Sequence, residues 1–151
     1  MCDGNICRSP LAAEYLRQRA ARQGIPHLAV ASAGLLGIEG VPAAAHAIAV
    51  GREAGLDLTP HRSRGITPSD MRSADVVLAM TLAQLEALAA RFPSDHPPRY
   101  LLRAFEHRAT PAAGAPNLDD PVGRPVEAFR EAFAIIRPCL DHVVLWLKHR
   151  P

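Results

Sequence analysis

The 151 residues are 48% hydrophobic and 21% charged, ordinary values for a single domain (residues 1–151) long enough to bury a real core. A formal charge of +2 argues against a nucleic-acid partner, three cysteines are too few for a disulfide framework, and no run of about 18 apolar residues could span a membrane. No basic-then-apolar leader follows Met1, so a reduced, cytoplasmic setting is expected.

In chain order, Pro10 suits the first turn of a helix that carries Leu11, Tyr15 and Leu16 and stops at Gly24. Leu28 to Ala33 reads as a short buried strand closed by Gly34. Ala43 to Glu53 is helical in composition, with Gly55 as its stop, and Pro68-Ser69-Asp70 opens a short helical turn. Asp75 to Met80 is the clearest strand, and Thr81 can cap a helix through Leu82, Leu85 and Leu88. A further strand is expected through Tyr100, Leu101 and Leu102. Ala109 to Pro125 is a long Pro/Gly/Ala-rich loop, and a loop of that length is usually functional. The tail repeats apolar residues from Val126 through Phe129, Phe133, Ile136, Leu140, Val143 and Leu147, with Pro138 expected to kink or split the helix. Strands alternating with helices predict a three-layer α/β domain with a parallel sheet.

The chemistry concentrates in Cys2-Asp3-Gly4-Asn5-Ile6-Cys7-Arg8-Ser9-Pro10. Cys2 and Arg8 stand in the spacing Cys-x5-Arg directly before a helix start, and they enclose Gly4 and Asn5, which tolerate positive φ. The N–H groups of residues 3 to 8 can converge on phosphate oxygens, and the helix adds its positive dipole end. Arg8 supplies a planar fork for two of those oxygens, while the same fields favour a thiolate nucleophile at Cys2. Cys7 lies in the same loop, either as a redox guard of Cys2 or as a small residue packed beneath it. Cys139 reads as a core residue.

A leaving oxygen needs a proton, and Asp120 in the long loop is the expected acid, with Asp119 as the fallback. Pro121 restricts Asp120 to an extended conformation that projects its carboxyl. The histidines show no metal-ligand spacing, so neither metal nor cofactor is expected. His46, His96 and His107 read as solvated surface, His61 either as a brace for a loop or as an exposed turn histidine, and Arg62 with Arg64 as a solvated face.

The segment from Cys2 to Pro10 resembles the signature loop of the low-molecular-weight protein tyrosine phosphatases. The resemblance continues through Ser32-Ala33-Gly34, Gly40-Val41-Pro42, Gly55-Leu56-Asp57, His61-Arg62-Ser63-Arg64, Ala74 to Met80 and Asp120-Pro121. It implies a flavodoxin-like parallel sheet and two-step, metal-free hydrolysis of a phosphomonoester, carried by a phosphotyrosine protein or a small molecule. Cys2 would be the nucleophile, Arg8 the clamp and Asp120 the acid, with Asn5, Ser9, Ser32 and His61 supporting the loop.

The sequence departs from the family in three places. Only Met1 precedes Cys2, so the first strand of the sheet is expected to be missing or truncated. Val122-Gly123 and Leu35 to Gly40 lack the aromatic residues that would sandwich a phosphotyrosyl ring. Ala44 and His46 replace the usual Asp and Arg. Two alternatives stay open: a non-catalytic phosphate-binding or regulatory module, and an arsenate reductase of the same fold.

Overall fold

The computed structural model describes residues 1–94 and 97–150; His96 lies outside them. Helix α1 (Arg8–Arg22) starts two residues before Pro10 and has no side-chain cap, which leaves its first N–H groups turned toward the loop before it. Helix α2 (Ala45–Glu53) ends just before Gly55, whose φ of 73° suits glycine. Helices α3 (Pro68–Ser73) and α4 (Leu82–Arg91) each open with a reciprocal capping box, Thr67 with Asp70 and Thr81 with Gln84. Strands β1 (Val77–Ala79) and β2 (Arg99–Leu101) pair in parallel, Leu78 opposite Tyr100. Leu102 does not continue the strand; it opens a 3-10 turn (Leu102–Phe105) that drops Phe105 into the core.

Helix α5 (Val126–Lys148) runs through Pro138 without a break, so Pro138 does not split it. Ala134, whose carbonyl a proline at 138 deprives of its N–H partner, is exposed, as is Pro138 itself. At this exposed position solvent can take the carbonyl's hydrogen bond, so the interruption costs little. The opposite face buries Phe129, Phe133, Ile136, Leu140 and Val143 against Leu11 of α1 and Val50 of α2. Each large side chain so buried contributes roughly 1.5–3 kcal/mol.

The sheet is complete only at the end that carries the site. Parallel single bridges join Cys2 to Gly34 and Gly34 to Gly65, and the Met1 ammonium donates to the Leu78 carbonyl at 2.6 Å. The lateral order is therefore Gly65, Gly34, Cys2, β1, β2, with one rung where a strand would precede Cys2. That bears on the expected strand from Leu28 to Ala33, which is not one: it runs toward Gly34 without a ladder partner. A strand needs a neighbour for its backbone groups, and on this side there is an open cavity of about 610 Å³ instead. Leu16, Val30, Val76, Leu78 and Leu140 line it, with Met1 at its end. Burial holds the Met1 ammonium below its ordinary pKa. Among the described residues no helix is long and apolar enough to cross a membrane.

Candidate active site

Residues 2 to 7 form a tight loop between the Cys2–Gly34 bridge and the start of α1. Its turn depends on Asn5, at φ 56° the one non-glycine with positive φ among the described residues. Gly4 does not take that conformation, and a Cβ there would meet only Ile6 and Ile38 side chains at ordinary contact distances. Gly34 is the glycine the loop requires. A Cβ on it would lie 2.6 Å from the Asp3 carbonyl oxygen and 3.0 Å from the Asn5 nitrogen.

Asn5 is buried and fully engaged. Its Nδ2 donates to Ser9 Oγ and to Ser32 Oγ, each at 2.9 Å, and its Oδ1 accepts from the Arg64 N–H at 3.1 Å. The Asn5 carbonyl lies 2.7 Å from His61 Nε2. The Ser9 oxygen accepts from Asn5 and lies 3.0 Å from Cys2 Sγ, a contact in which the hydroxyl donates when the sulfur is a thiolate. The structure thus brings together Cys2, Asn5, Ser9, Ser32 and His61. Arg64, read from sequence as a solvated face, joins them through its backbone, and its side chain pairs with Asp70 at 2.8 Å. That pairing, helped by Thr67, holds the Asp70 carboxyl down at about 2.

Arg8 is 2% exposed and lies under the loop. One terminal nitrogen donates to the Leu118 carbonyl at 2.8 Å; the other lies 3.1 Å from both Asp3 Oδ2 and Asp120 Oδ2. Its Nε is buried with no hydrogen-bond partner. An orphaned buried guanidinium donor is costly unless a ligand takes it.

Asp120 reaches the site because its loop is tied down. The Leu118 N–H donates to the Met80 carbonyl at the end of β1, and Asn117 Oδ1 accepts from Leu82 N–H. Val122 N–H donates to Asp120 Oδ1 at 3.2 Å. Asp119 makes no contact with Arg8. Asn117, Leu118, Gly34 and Gln84 belong to the site as supports to which the sequence assigned no role; Gly34, Asn117 and Leu118 lie in segments it singled out, and Gln84 does not.

Cys7 is buried, and burial, together with Asp120 and Cys2 nearby, pushes its thiol up to about 11. Cys139 is fully buried in the core and its thiol is pushed up to about 12 by burial. All three cysteines are free. Leu36, whose N–H donates to the Asp3 carbonyl, and Val122 are strongly exposed, so the loops beside the site present aliphatic rather than aromatic side chains. Among the described residues no three His, Cys, Asp or Glu side chains cluster as metal ligands would.

Residues 1–149 match the family model described as low molecular weight phosphotyrosine protein phosphatase. The chain belongs to that family. Members are enzymes, and the flavodoxin-like fold expected from sequence is theirs. Among its relatives, a probable low molecular weight protein-tyrosine-phosphatase, EpsP of Ralstonia solanacearum, is 35% identical over 93% of this chain and 88% of its own. A protein-arginine-phosphatase of Geobacillus stearothermophilus is 32% identical over 95% of this chain and 90% of its own. Among solved structures of the family, a YwlE arginine phosphatase mutant with a phosphorylated active-site serine superimposes with a TM-score of 0.89. It is 27% identical, over 98% of this chain and 93% of that one. Phosphatase activity follows from the family.

Proposed function

We propose that this family member hydrolyses phosphoryl groups on proteins through a phosphocysteine at Cys2. The observation that carries the reading is the orphaned Nε of buried Arg8, the last residue of a loop whose first residue is a free cysteine. A phosphate dianion offers that nitrogen an acceptor, and the loop N–H groups from Asp3 to Arg8 hold the remaining oxygens.

In the first half-reaction Cys2 Sγ attacks phosphorus in line, the bond from phosphorus to the leaving oxygen breaks, and Asp120 gives that oxygen its proton. In the second, Asp120 takes a proton from water, the water attacks phosphorus, and the P–S bond breaks to release inorganic phosphate. Ser9 donates to the sulfur when it departs, and Asn5, Ser32 and His61 keep the loop in shape. No metal or cofactor is needed for either half. A nucleophilic thiol needs a reducing compartment, which supports a cytoplasmic setting. Cys7, beside Cys2 but fully protonated near neutrality, acts as a guard only once Cys2 is oxidised and can be attacked.

Phosphotyrosine proteins are the first substrate class, as in the name of the family. Phosphoarginine proteins are the second reading: one relative bears that activity in its name, and two carboxylates stand at the mouth where a guanidinium would leave. Both are tested by phosphate release from phosphotyrosyl and phosphoarginyl peptides. Cys2→Ser abolishes release, and Asp120→Asn lowers kcat by about 10²- to 10⁴-fold. Wild-type turnover no faster than Cys2→Ser sinks the proposal and leaves a phosphate-binding module. Loss in Asp119→Asn instead of Asp120→Asn moves the acid by one residue, and arsenate-dependent oxidation of an added thiol points to a reductase.

A further inference from the structure

The mouth of the loop holds one more charge than phosphate chemistry calls for. Asp3 Oδ2 lies 3.1 Å from the Arg8 nitrogen that Asp120 also contacts. That nitrogen has two hydrogens and already faces two carboxylates, while the other terminal nitrogen is committed to Leu118. A phosphate that takes Nε and the adjacent edge of the fork must displace one of them. Asp120 is the one free to leave, since its only other tie is the turn to Val122. Asp3 is pinned. The same Oδ2 accepts from Gln84 Nε2 at 3.0 Å, and Gln84 is 1% exposed, its Oε1 held by the N–H groups of Met80 and Thr81 at the start of α4.

We infer that Asp3 is a positioning residue that acts as a resident anion: held by Gln84, it stays on Arg8 when phosphate binds and weakens the hold on phosphate. The inference rests on the loop being a phosphate site. Two opposed effects have to be weighed. Fixing the Arg8 fork would strengthen binding, but Arg8 is already fixed by burial and by Leu118, so little is gained there. A carboxylate and a dianion sharing one guanidinium nitrogen repel strongly, and that effect dominates. The consequence is a lower affinity for inorganic phosphate and hence readier release of product.

The test is calorimetric titration of the reduced protein with inorganic phosphate, alongside kcat and KM for p-nitrophenyl phosphate. Asp3→Asn keeps the shape and removes the charge. It should tighten phosphate about tenfold and lower KM without raising kcat, and the gain should shrink in 1 M salt, where screening reaches a few ångströms. Gln84→Leu frees Asp3 to swing toward solvent and should tighten phosphate by a smaller factor, an effect absent when Asp3→Asn is already present. Phosphate binding unchanged or weakened by Asp3→Asn overturns the inference while leaving the phosphatase reading intact. Absence of phosphate binding in both wild type and Asp3→Asn, with no turnover of p-nitrophenyl phosphate, overturns both.

Discussion

At the residue scale the site is an arrangement of donors around one buried arginine, and small changes in it have definite signs. Gly34→Ala places a methyl group 2.6 Å from the Asp3 carbonyl oxygen, a backbone atom that cannot move without opening the loop. The expected result is a fall in kcat/KM of about 100-fold with a loss of roughly 2 kcal/mol in stability, read by steady-state kinetics and urea unfolding. The Arg64–Asp70 pair behind Asn5 has a pH signature. The folded-state pKa of Asp70, about 2, lies below its ordinary 3.8, so its contribution is complete above pH 5 and disappears as pH falls through 2. Arg64 and Asp70 are 36% and 27% exposed, so screening trims the contribution to on the order of 1 kcal/mol; this is expected to be missing in Asp70→Asn near neutrality, with its urea midpoint approaching that of wild type as pH drops. The proposed nucleophile and clamp could be picked out of nine consecutive residues because spacing and residue chemistry are local; Ser32 and His61 lie outside that stretch and came from the resemblance. Gly34, Gln84 and Leu118 could not be picked out, because their roles arise from contacts 27 or more positions apart, such as Gln84 with Asp3.

At the element scale the helices followed from capping residues and apolar periodicity, and α5 differed only where Pro138 was weighed without knowing which face it occupies. Strands were harder. Val77–Ala79 found a partner in Arg99–Leu101, whereas Leu28 to Ala33 has the composition of a strand but no neighbour to make it one. Pairing is a property of two segments, and sequence shows one at a time. The cavity is lined by Val30 and Leu78 among other apolar side chains, with Met1 at its wall. Four alternating apolar residues fused ahead of Met1 would cover its backbone edges and replace the buried ammonium by an amide. An increase in Tm of several degrees is expected, measured by calorimetry, against no change if the added residues stay in solvent.

At the scale of the whole molecule, the sheet order brings Cys2, Gly34, Gly65 and the end of β1 to one edge, and the long loop folds back over it through Leu118. The first and last thirds of the chain thereby meet at Arg8, which touches Asp3 and Asp120 together. Arg8 links the loop of the proposed nucleophile to the proposed acid, over a hundred positions away in the chain. The aliphatic mouth, with Leu36 and Val122 exposed, separates this chain from one built to sandwich an aromatic ring. In the proposed reaction the phosphoryl group passes through Cys2. Rapid acid quench of Asp120→Asn with p-nitrophenyl phosphate, whose leaving group needs little protonation, followed by peptide mass spectrometry, measures this directly. The phosphoryl group is expected on the peptide containing Cys2, at near-stoichiometric occupancy, and on neither Cys7 nor Cys139; turnover with no phosphorylated cysteine, or full activity in Cys2→Ser, would contradict it.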